Sequence, residues 1–403
     1  MHRRTEIEAA LQKVVDSGQL AGAATLVWRG GEAHTACVGW RDVEANLPVE
    51  RGTIFRIASM TKPITSVAAL MLVEEGRMTL SDPITRYAPE FSQMRVLRSP
   101  DGPLSETDLA ERAITFEDLL THRAGLTYSD FHRGPIAQAY REALGGEIDS
   151  ELAPDDWIAR LANLPLVGQP GSAMYYGCST DLLGLLIARI EDAPLGAVLR
   201  RRIFDPLGMD DTSFVVPQQK RHRRSAAYGF DHEGRLAKRL ERKGVFVAER
   251  PEDMAYESGG AGLWSTMDDY LKFARLFVGN GAVDGVRILR PETLAMMVAN
   301  RLTDSVRTNP GWLGLQARGR GFGLGVSVVV ETAKTDMMRR GSVGTVSWPG
   351  AFGGWWQADP AEGSVLIFLA HNMVDLEQMA KGIGLGVWGA VETFQTLASV
   401  SLR

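Results

Sequence analysis

The chain has 403 residues, 45% of them hydrophobic and 23% charged, with 44 basic and 49 acidic side chains and a formal net charge of -5. This is ordinary globular composition, enough for about two to three domain-sized units and for burying roughly three quarters of the unfolded surface. It excludes a disulfide scaffold, because Cys37 and Cys178 are the only cysteines, and no apolar run of about 18 residues suggests a membrane-spanning helix.

The first residues, MHRRTEIEAALQKVVDSG, carry charge with no apolar run behind it, unlike a secretory leader, so a cytoplasmic location is expected. Residues 6–16 have helical periodicity, closed by Ser17-Gly18. Residues 22–29 (GAATLVWR) read as a strand, Gly30-Gly31 as a hairpin turn, and residues 32–39 as the partner strand. Residues 59–75 carry the strongest helix signal. Pro63 falls early, where first-turn N–H groups lack partners anyway. The run SVAALMLVEEG that follows is apolar on nearly all sides, which predicts burial, and Gly76 ends it.

Between residues 86 and 255 helical stretches appear at 115–121, 135–144, 154–163, 179–191 and 195–204, with little strand alternation. The basic run Lys220 to Arg224, with Lys238, Arg239 and Arg242 beyond it, reads as a solvated loop or hairpin surface. No nucleic-acid motif accompanies it, so no nucleic-acid partner is expected. Residues 266–278 and 290–300 read as helices, 321–330, 353–358 and 364–371 as strands, and about 374–398 as the last helix. The pattern predicts an α/β (α+β) fold, an antiparallel sheet flanked by helices. Residues 1–85 and 256–403 would form the sheet unit and 86–255 a mostly helical insertion, with the active site in the cleft between them.

Ser59 and Lys62 form an S-x-x-K pair at the head of the buried helix. A spacing of three puts both side chains on one face. The helix N-terminus favours negative charge developing at Ser59. A serine hydroxyl needs a base to become a nucleophile, and burial favours the neutral amine that can serve. The tetrapeptide alone is weakly specific, since an N-cap serine followed by a surface lysine has the same spacing. Tyr175 and Tyr176, in PGSAMYYGCS, lie before another apolar helix, and either composition fits a proton shuttle or a packed loop aromatic. The segment SWPGAFGGWW has glycines that allow close backbone approach, and its N–H groups together with that of Ser59 are candidates for an oxyanion hole. His122 and His371 read as structural. No G-x-S-x-G, H-x-H or HExxH motif occurs, so neither an α/β-hydrolase elbow nor a zinc site is indicated, and no metal or cofactor is expected.

In their order, FRIASMTKPITSVAALMLVEEGRMTLSDPITRYAPEF, ITFEDLLTHRAGL, PGSAMYYGCSTDLLG, IFDPLGMDDTSF, GGAGLWSTMDDYLKFARL and WPGAFGGWWQADP resemble the serine β-lactamase-like family over roughly residues 10–395. That family includes class C β-lactamases, D-alanyl-D-alanine carboxypeptidases and, most similar, family VIII carboxylesterases; fungal statin acyltransferases look like the same branch. The resemblance implies a β-lactamase/transpeptidase-like fold, Ser59 as nucleophile with Lys62 and Tyr176 as proton-transfer partners, and the N–H groups of Ser59 and Ala351 as the oxyanion hole. It selects Tyr176 over Tyr175, since Tyr176 lies six residues after Pro170. Tyr128, Trp348, Gly350 and Cys178 are the implied substrate-binding residues.

Two positions depart from the pattern. Cys178 stands where the second motif usually has asparagine, and Trp348 stands where lactamases have a lysine or histidine. Losing that cation weakens anionic substrates, since a charge-assisted hydrogen bond contributes about 1.5–3 kcal/mol. An aromatic residue favours neutral acyl groups. The expected reaction is therefore carboxylic ester hydrolysis through a Ser59 acyl-enzyme on a small-molecule substrate. The alternatives are acyl transfer to an alcohol or amine, β-lactamase or D-Ala-D-Ala peptidase chemistry, and a non-catalytic binding protein on the same fold. Oligomeric state is not readable.

Overall fold

The computed structural model describes residues 2–239, 241–242, 245–247, 250–303, 306, 319–332 and 341–401. Its centre is an eight-stranded sheet. In chain order the strands are β1 (Gly22–Arg29), β2 (Glu32–Asp42), β3 (Leu47–Pro48), β4 (Arg320–Phe322), β5 (Ser327–Val329), β6 (Val346–Pro349), β7 (Trp355–Asp359) and β8 (Ser364–Ala370). Their spatial order is β4-β5-β6-β7-β8-β1-β2-β3, antiparallel at each pairing. The two chain ends thus meet at the β8–β1 pair, where Leu26 faces Ile367 and Val27 faces Leu366.

β8, SVLIFLA, is buried throughout. Period-two geometry explains why an unbroken apolar run works here. Leu366 and Phe368 pack into the cluster with Leu11 and Phe394, from the first and last helices. Val365, Ile367 and Leu369 enter the main core with Ile64 and Leu70 of the helix Thr61–Glu74. That helix is buried from Thr61 to Leu70, so it is a central rather than a surface element. Its polar groups are met by the chain at 259–263: Thr65 Oγ1 donates to the Gly259 carbonyl at 2.7 Å, and the Leu263 N–H donates to Thr61 Oγ1 at 3.2 Å.

Three sequence expectations change. The stretch 321–330 is a hairpin, β4 and β5, rather than one strand. Gly325, at φ +83°, makes the turn, and a Cβ there would lie 1.9 Å from Ser66 Oγ on the buried helix. The last helix begins at Leu385; before it lie the short helix Leu376–Ala380 and the left-handed Gly382 and Gly384 at φ +82° and +75°, which interrupt helical geometry. The central segment also contains short hairpins, Arg95–Leu97 with Thr107–Leu109 and Tyr228–Phe230 with Leu236–Lys238, too brief to show alternation.

Neither Cys37 nor Cys178 is part of a disulfide. Lys220 and Arg223 of the basic run pair with Asp211, and Arg221 pairs with Glu252. No helix among the described residues is long and apolar enough to cross a membrane.

Candidate active site

The chain enters the site along Phe55–Arg56, paired with Trp264–Ser265. Arg56 is buried and bonds Asp149 Oδ2 at 2.9 Å. Ala58 then takes φ +44°, a left-handed conformation that costs a non-glycine residue about 1–2 kcal/mol. Strain of this kind persists only where surrounding structure imposes it. Ser59 follows in the 3-10 turn Ala58–Met60, and Lys62 lies one turn on in the buried helix.

The Ser59 hydroxyl has two close partners. Tyr176 OH lies 2.7 Å from Oγ and Lys62 Nζ lies 3.3 Å from it. Lys62 is 0% exposed. Its amine also reaches Tyr128 OH at 3.1 Å and the Gly260 carbonyl at 2.9 Å. Both of those groups are held by one buried carboxylate: Tyr128 OH donates to Asp181 Oδ2 at 2.8 Å, and the Gly260 N–H donates to Asp181 Oδ1 at 3.1 Å. Ser258 OH donates to the same Oδ1. Burial raises the Asp181 pKa, against the opposing pull of Lys62, Ser258, Tyr128 and Gly260. Burial, then Asp181, pushes the Tyr128 phenol well above its usual range.

Asp181 was not singled out in the sequence. Its only signal was a lone carboxylate in the apolar stretch STDLLGLLI, which reads equally as an acid complementing a helix N-terminus. His122 is fully buried at φ +55°, its ring 4.8 Å from that of Tyr176, and burial followed by Lys62 holds it neutral, well below 6.5.

β6 delivers the third part of the site. Gly350 packs so tightly on the turn that carries Ser59 that a Cβ would lie 2.5 Å from the Ile57 carbonyl. The Gly350 N–H donates to the Gly354 carbonyl at 2.7 Å, closing a turn whose Ala351 lines the same cavity as Ser59.

The cavity above Ser59 measures about 400 Å³, within the usual range for small-molecule sites. Tyr128, Tyr176 and Gly350 line it. Trp348 and Cys178 do not, contrary to the expectation that they contact substrate. Trp348 is 1% exposed and lies behind Tyr176, its indole N–H donating to Tyr176 OH at 3.3 Å. Cys178 is 2% exposed, and burial, then Asp181, raises its thiol pKa well above 9. The apolar wall comes instead from Phe131, Ile148, Met373, Val374, Met379 and Trp388, none of them singled out in the sequence. The segment 128–150 supplies Tyr128, Phe131 and Ile148 to the lining, and Val245 joins them, residues 240, 243–244 and 248–249 lying outside the described set. Among the described residues no group of His, Cys, Asp and Glu could hold a metal ion.

An antiparallel sheet with a buried serine–lysine helix and a facing tyrosine is the architecture of β-lactamase-fold proteins. The chain matches the Beta-lactamase family over residues 7–385 and belongs to that family. It is similar to Protein Rv1367c of Mycobacterium tuberculosis, 44% identical over 376 residues that cover 92% of this chain and 90% of the relative. It is similar also to Esterase EstB of Burkholderia gladioli, 31% identical over 382 residues, covering 91% and 90%. Among solved structures, EstCE1, described as a hydrolase with promiscuous acyltransferase activity, superposes with a TM-score of 0.77 at 25% identity, covering 97% of this chain and 98% of that one.

Proposed function

We propose that this protein is a serine ester hydrolase that works through an acyl-enzyme on Ser59. The observation that carries the reading is the Ser59 hydroxyl held between Tyr176 OH and Lys62 Nζ at the floor of an apolar cavity. The similarity to an esterase and to a hydrolase with acyltransferase activity supports it.

The hydrogen-bond geometry suggests how the base works. As an ammonium, Lys62 donates to all three of its neighbours. As a neutral amine it has two N–H bonds and one lone pair. The Gly260 carbonyl can only accept, and Tyr128, whose own proton goes to Asp181, presents a lone pair to the amine. Those two contacts use the two N–H bonds, and the amine lone pair is left facing Ser59. Ser59 Oγ attacks the ester carbonyl as its proton passes to the Lys62–Tyr176 pair. The tetrahedral oxyanion forms against the N–H groups of Ser59 and Ala351. Tyr176 then protonates the departing alcohol, and water attacks the acyl-enzyme by the reverse route. Trp348 stabilises the charge that collects on the Tyr176 oxygen by donating to it.

The division into a sheet unit (1–85 and 256–403) and a helical insertion (86–255) fits this reading: the first supplies Ser59, Lys62 and Ala351, the second Tyr128 and Tyr176. A cytoplasmic location belongs to the same proposal and is supported by the two unbridged thiols. Acyl transfer to an alcohol or amine is the second reading, favoured by a cavity wide enough to admit an acceptor beside the acyl group. The test is a panel of p-nitrophenyl esters of increasing chain length plus one chromogenic cephalosporin, with Ser59→Ala as control and product analysis with and without added alcohols. Ester turnover that survives Ser59→Ala sinks the mechanism. Cephalosporin cleavage faster than ester cleavage moves the protein to the lactamases.

A further inference from the structure

One stretch of chain, residues 373–388, supplies an apolar wall of the cavity above Ser59: Met373, Val374, Leu376, Met379, Leu385 and Trp388. The short helix Leu376–Ala380 within it is two-faced. Leu376 and Met379, three residues apart and so on one face, line the cavity, while Glu377 and Lys381 pair at 2.7 Å and are largely exposed. No residue of that helix is buried. Leu376 is 44% exposed and Leu385 is 50% exposed although both line the cavity, so the wall runs from the interior out to solvent.

The hairpin Tyr228–Phe230 with Leu236–Lys238 holds this wall from behind. The Met373 N–H donates to the Tyr228 carbonyl at 2.8 Å and Gln378 Nε2 to the Phe230 carbonyl at 2.9 Å. At Gly384 a Cβ would lie 2.7 Å from Val374 and 2.8 Å from Phe230. The backbone of the wall is thus fixed, while its two methionines can adapt to the shape of what lies against them. Another side of the cavity is aromatic: the rings of Tyr128 and Phe131 each pack 5.7 Å from that of Tyr176. An alcohol protonated by Tyr176 departs on that side. The aliphatic wall is left for the acyl chain, which stays bonded to Ser59 through both steps.

We infer that the substrates are esters of long aliphatic acids, whose acyl chain runs along Met373 and Met379 and leaves the cavity over Leu376 and Leu385, with Leu376, Met379 and Leu385 as the specificity-determining residues. The inference rests on the ester hydrolase reading above and goes beyond it by naming the acyl class. A closed pocket would reject chains longer than itself. A wall that continues to the surface keeps a longer chain in apolar contact, buried at first and then half-covered. Each methylene fully removed from water should raise kcat/KM about three- to fourfold, and each one lying over the half-exposed leucines about twofold or less.

The experiment measures kcat/KM for p-nitrophenyl acetate, butanoate, octanoate and dodecanoate, each below its critical micelle concentration. The values should climb steeply from acetate, then more gently, and should not fall at dodecanoate. A dodecanoate value about tenfold or more below octanoate shows a closed end and overturns the inference. In Leu376→Ser/Leu385→Ser the dodecanoate-to-butanoate ratio should drop about five- to tenfold, and in Met379→Ala the octanoate-to-acetate ratio should drop by a similar factor. Both leucines are half exposed, so the double variant should fold; ratios that stay at the wild-type value in both variants overturn the inference. So does a chain-length dependence that appears in a series of alkyl acetates while the acyl series is flat, since that puts the alcohol on this wall. Absence of ester turnover counts against the hydrolase reading instead. The chain rule is then read from labelling rates of p-nitrophenyl phosphonates carrying methyl, heptyl or undecyl groups on phosphorus: rates that rise with length support it, and equal or falling rates, or no labelling at all, overturn it.

Discussion

Arg56 and Lys62 are both buried basic side chains near a buried carboxylate, and they are partnered differently. Arg56 meets Asp149 directly at 2.9 Å, both side chains being 1% exposed, and its guanidinium lies over Trp264 at 4.8 Å. Lys62 reaches Asp181 through two intermediaries, the Tyr128 hydroxyl and the Gly260 peptide. Direct contact ties a cation to its acid. Contact at one remove keeps the acid's field while leaving one direction of the amine for Ser59. The first arrangement anchors the strand that leads into the site, and the second suits the proton transfer proposed for Lys62.

The comparison breaks most readily at the serine. Ser59→Ala should abolish phosphonate labelling and lower ester turnover by about 10⁴-fold or more. Lys62→Ala and Tyr176→Phe should each cost roughly 10²- to 10⁴-fold in kcat; a rate close to wild type in either removes that residue from the mechanism.

On the Arg56 side the effect should be on stability. Asp149→Ala strands a buried guanidinium and should cost about 3–5 kcal/mol in urea unfolding. An unchanged midpoint would show that the pair is not an anchor. His371 sharpens the same region. Burial, with Arg56 as the next cause, lowers its pKa to about 3, and its Nδ1–H donates to the Ser225 carbonyl at 2.8 Å. The unfolded chain therefore binds this proton first, near pH 6.5. Stability from neutral His371 is complete above that pH and falls as the pH drops from about 6.5 toward 3, by about 4–5 kcal/mol in all. Thermal midpoints measured across this window should slope less steeply in His371→Gln. A parallel slope means that other groups, His122 among them, set the acid limit.

Smaller effects should follow from the intermediaries. Asp181→Asn keeps the volume but supplies a donor where only acceptors fit, and should lower kcat roughly 10- to 100-fold with little change in KM, equivalent to about 1.5–3 kcal/mol. A rise in KM with kcat unchanged would make Asp181 a pocket residue instead. The smallest is Trp348→Phe, which deletes one neutral hydrogen bond to Tyr176 and should reduce kcat by about fivefold.

Much of this was legible in the sequence where a single periodicity ran uninterrupted. β1, β2 and β8 and the buried helix at 61–74 declared themselves by alternation or by continuous apolarity. The hairpin at 320–329 did not, because GFGLGVSVVV stays apolar through its turn, and only the left-handed Gly325 reverses it. Trp348 and Cys178 could be aligned on the family motifs but not oriented. Along β6, Trp348 shares a core-facing side with Val346, while Pro349 turns to the cavity. With apolar residues at both positions, parity cannot be read. Asp181 shows the same limit: its partners Tyr128, Ser258 and Gly260 lie 53, 77 and 79 residues away, so no local pattern announces them.

The contact between Gly350 and the Ile57 carbonyl has a mechanical meaning. A hydrogen atom is all that fits between the backbone of the sheet's turn and the backbone just ahead of Ser59. The two N–H groups assigned to the oxyanion come from opposite sides of this seam, so their spacing is set by main chain against main chain, with no side chain to relax. A methyl at position 350 would act as a shim that widens the gap for every substrate alike, whatever its tail or charge.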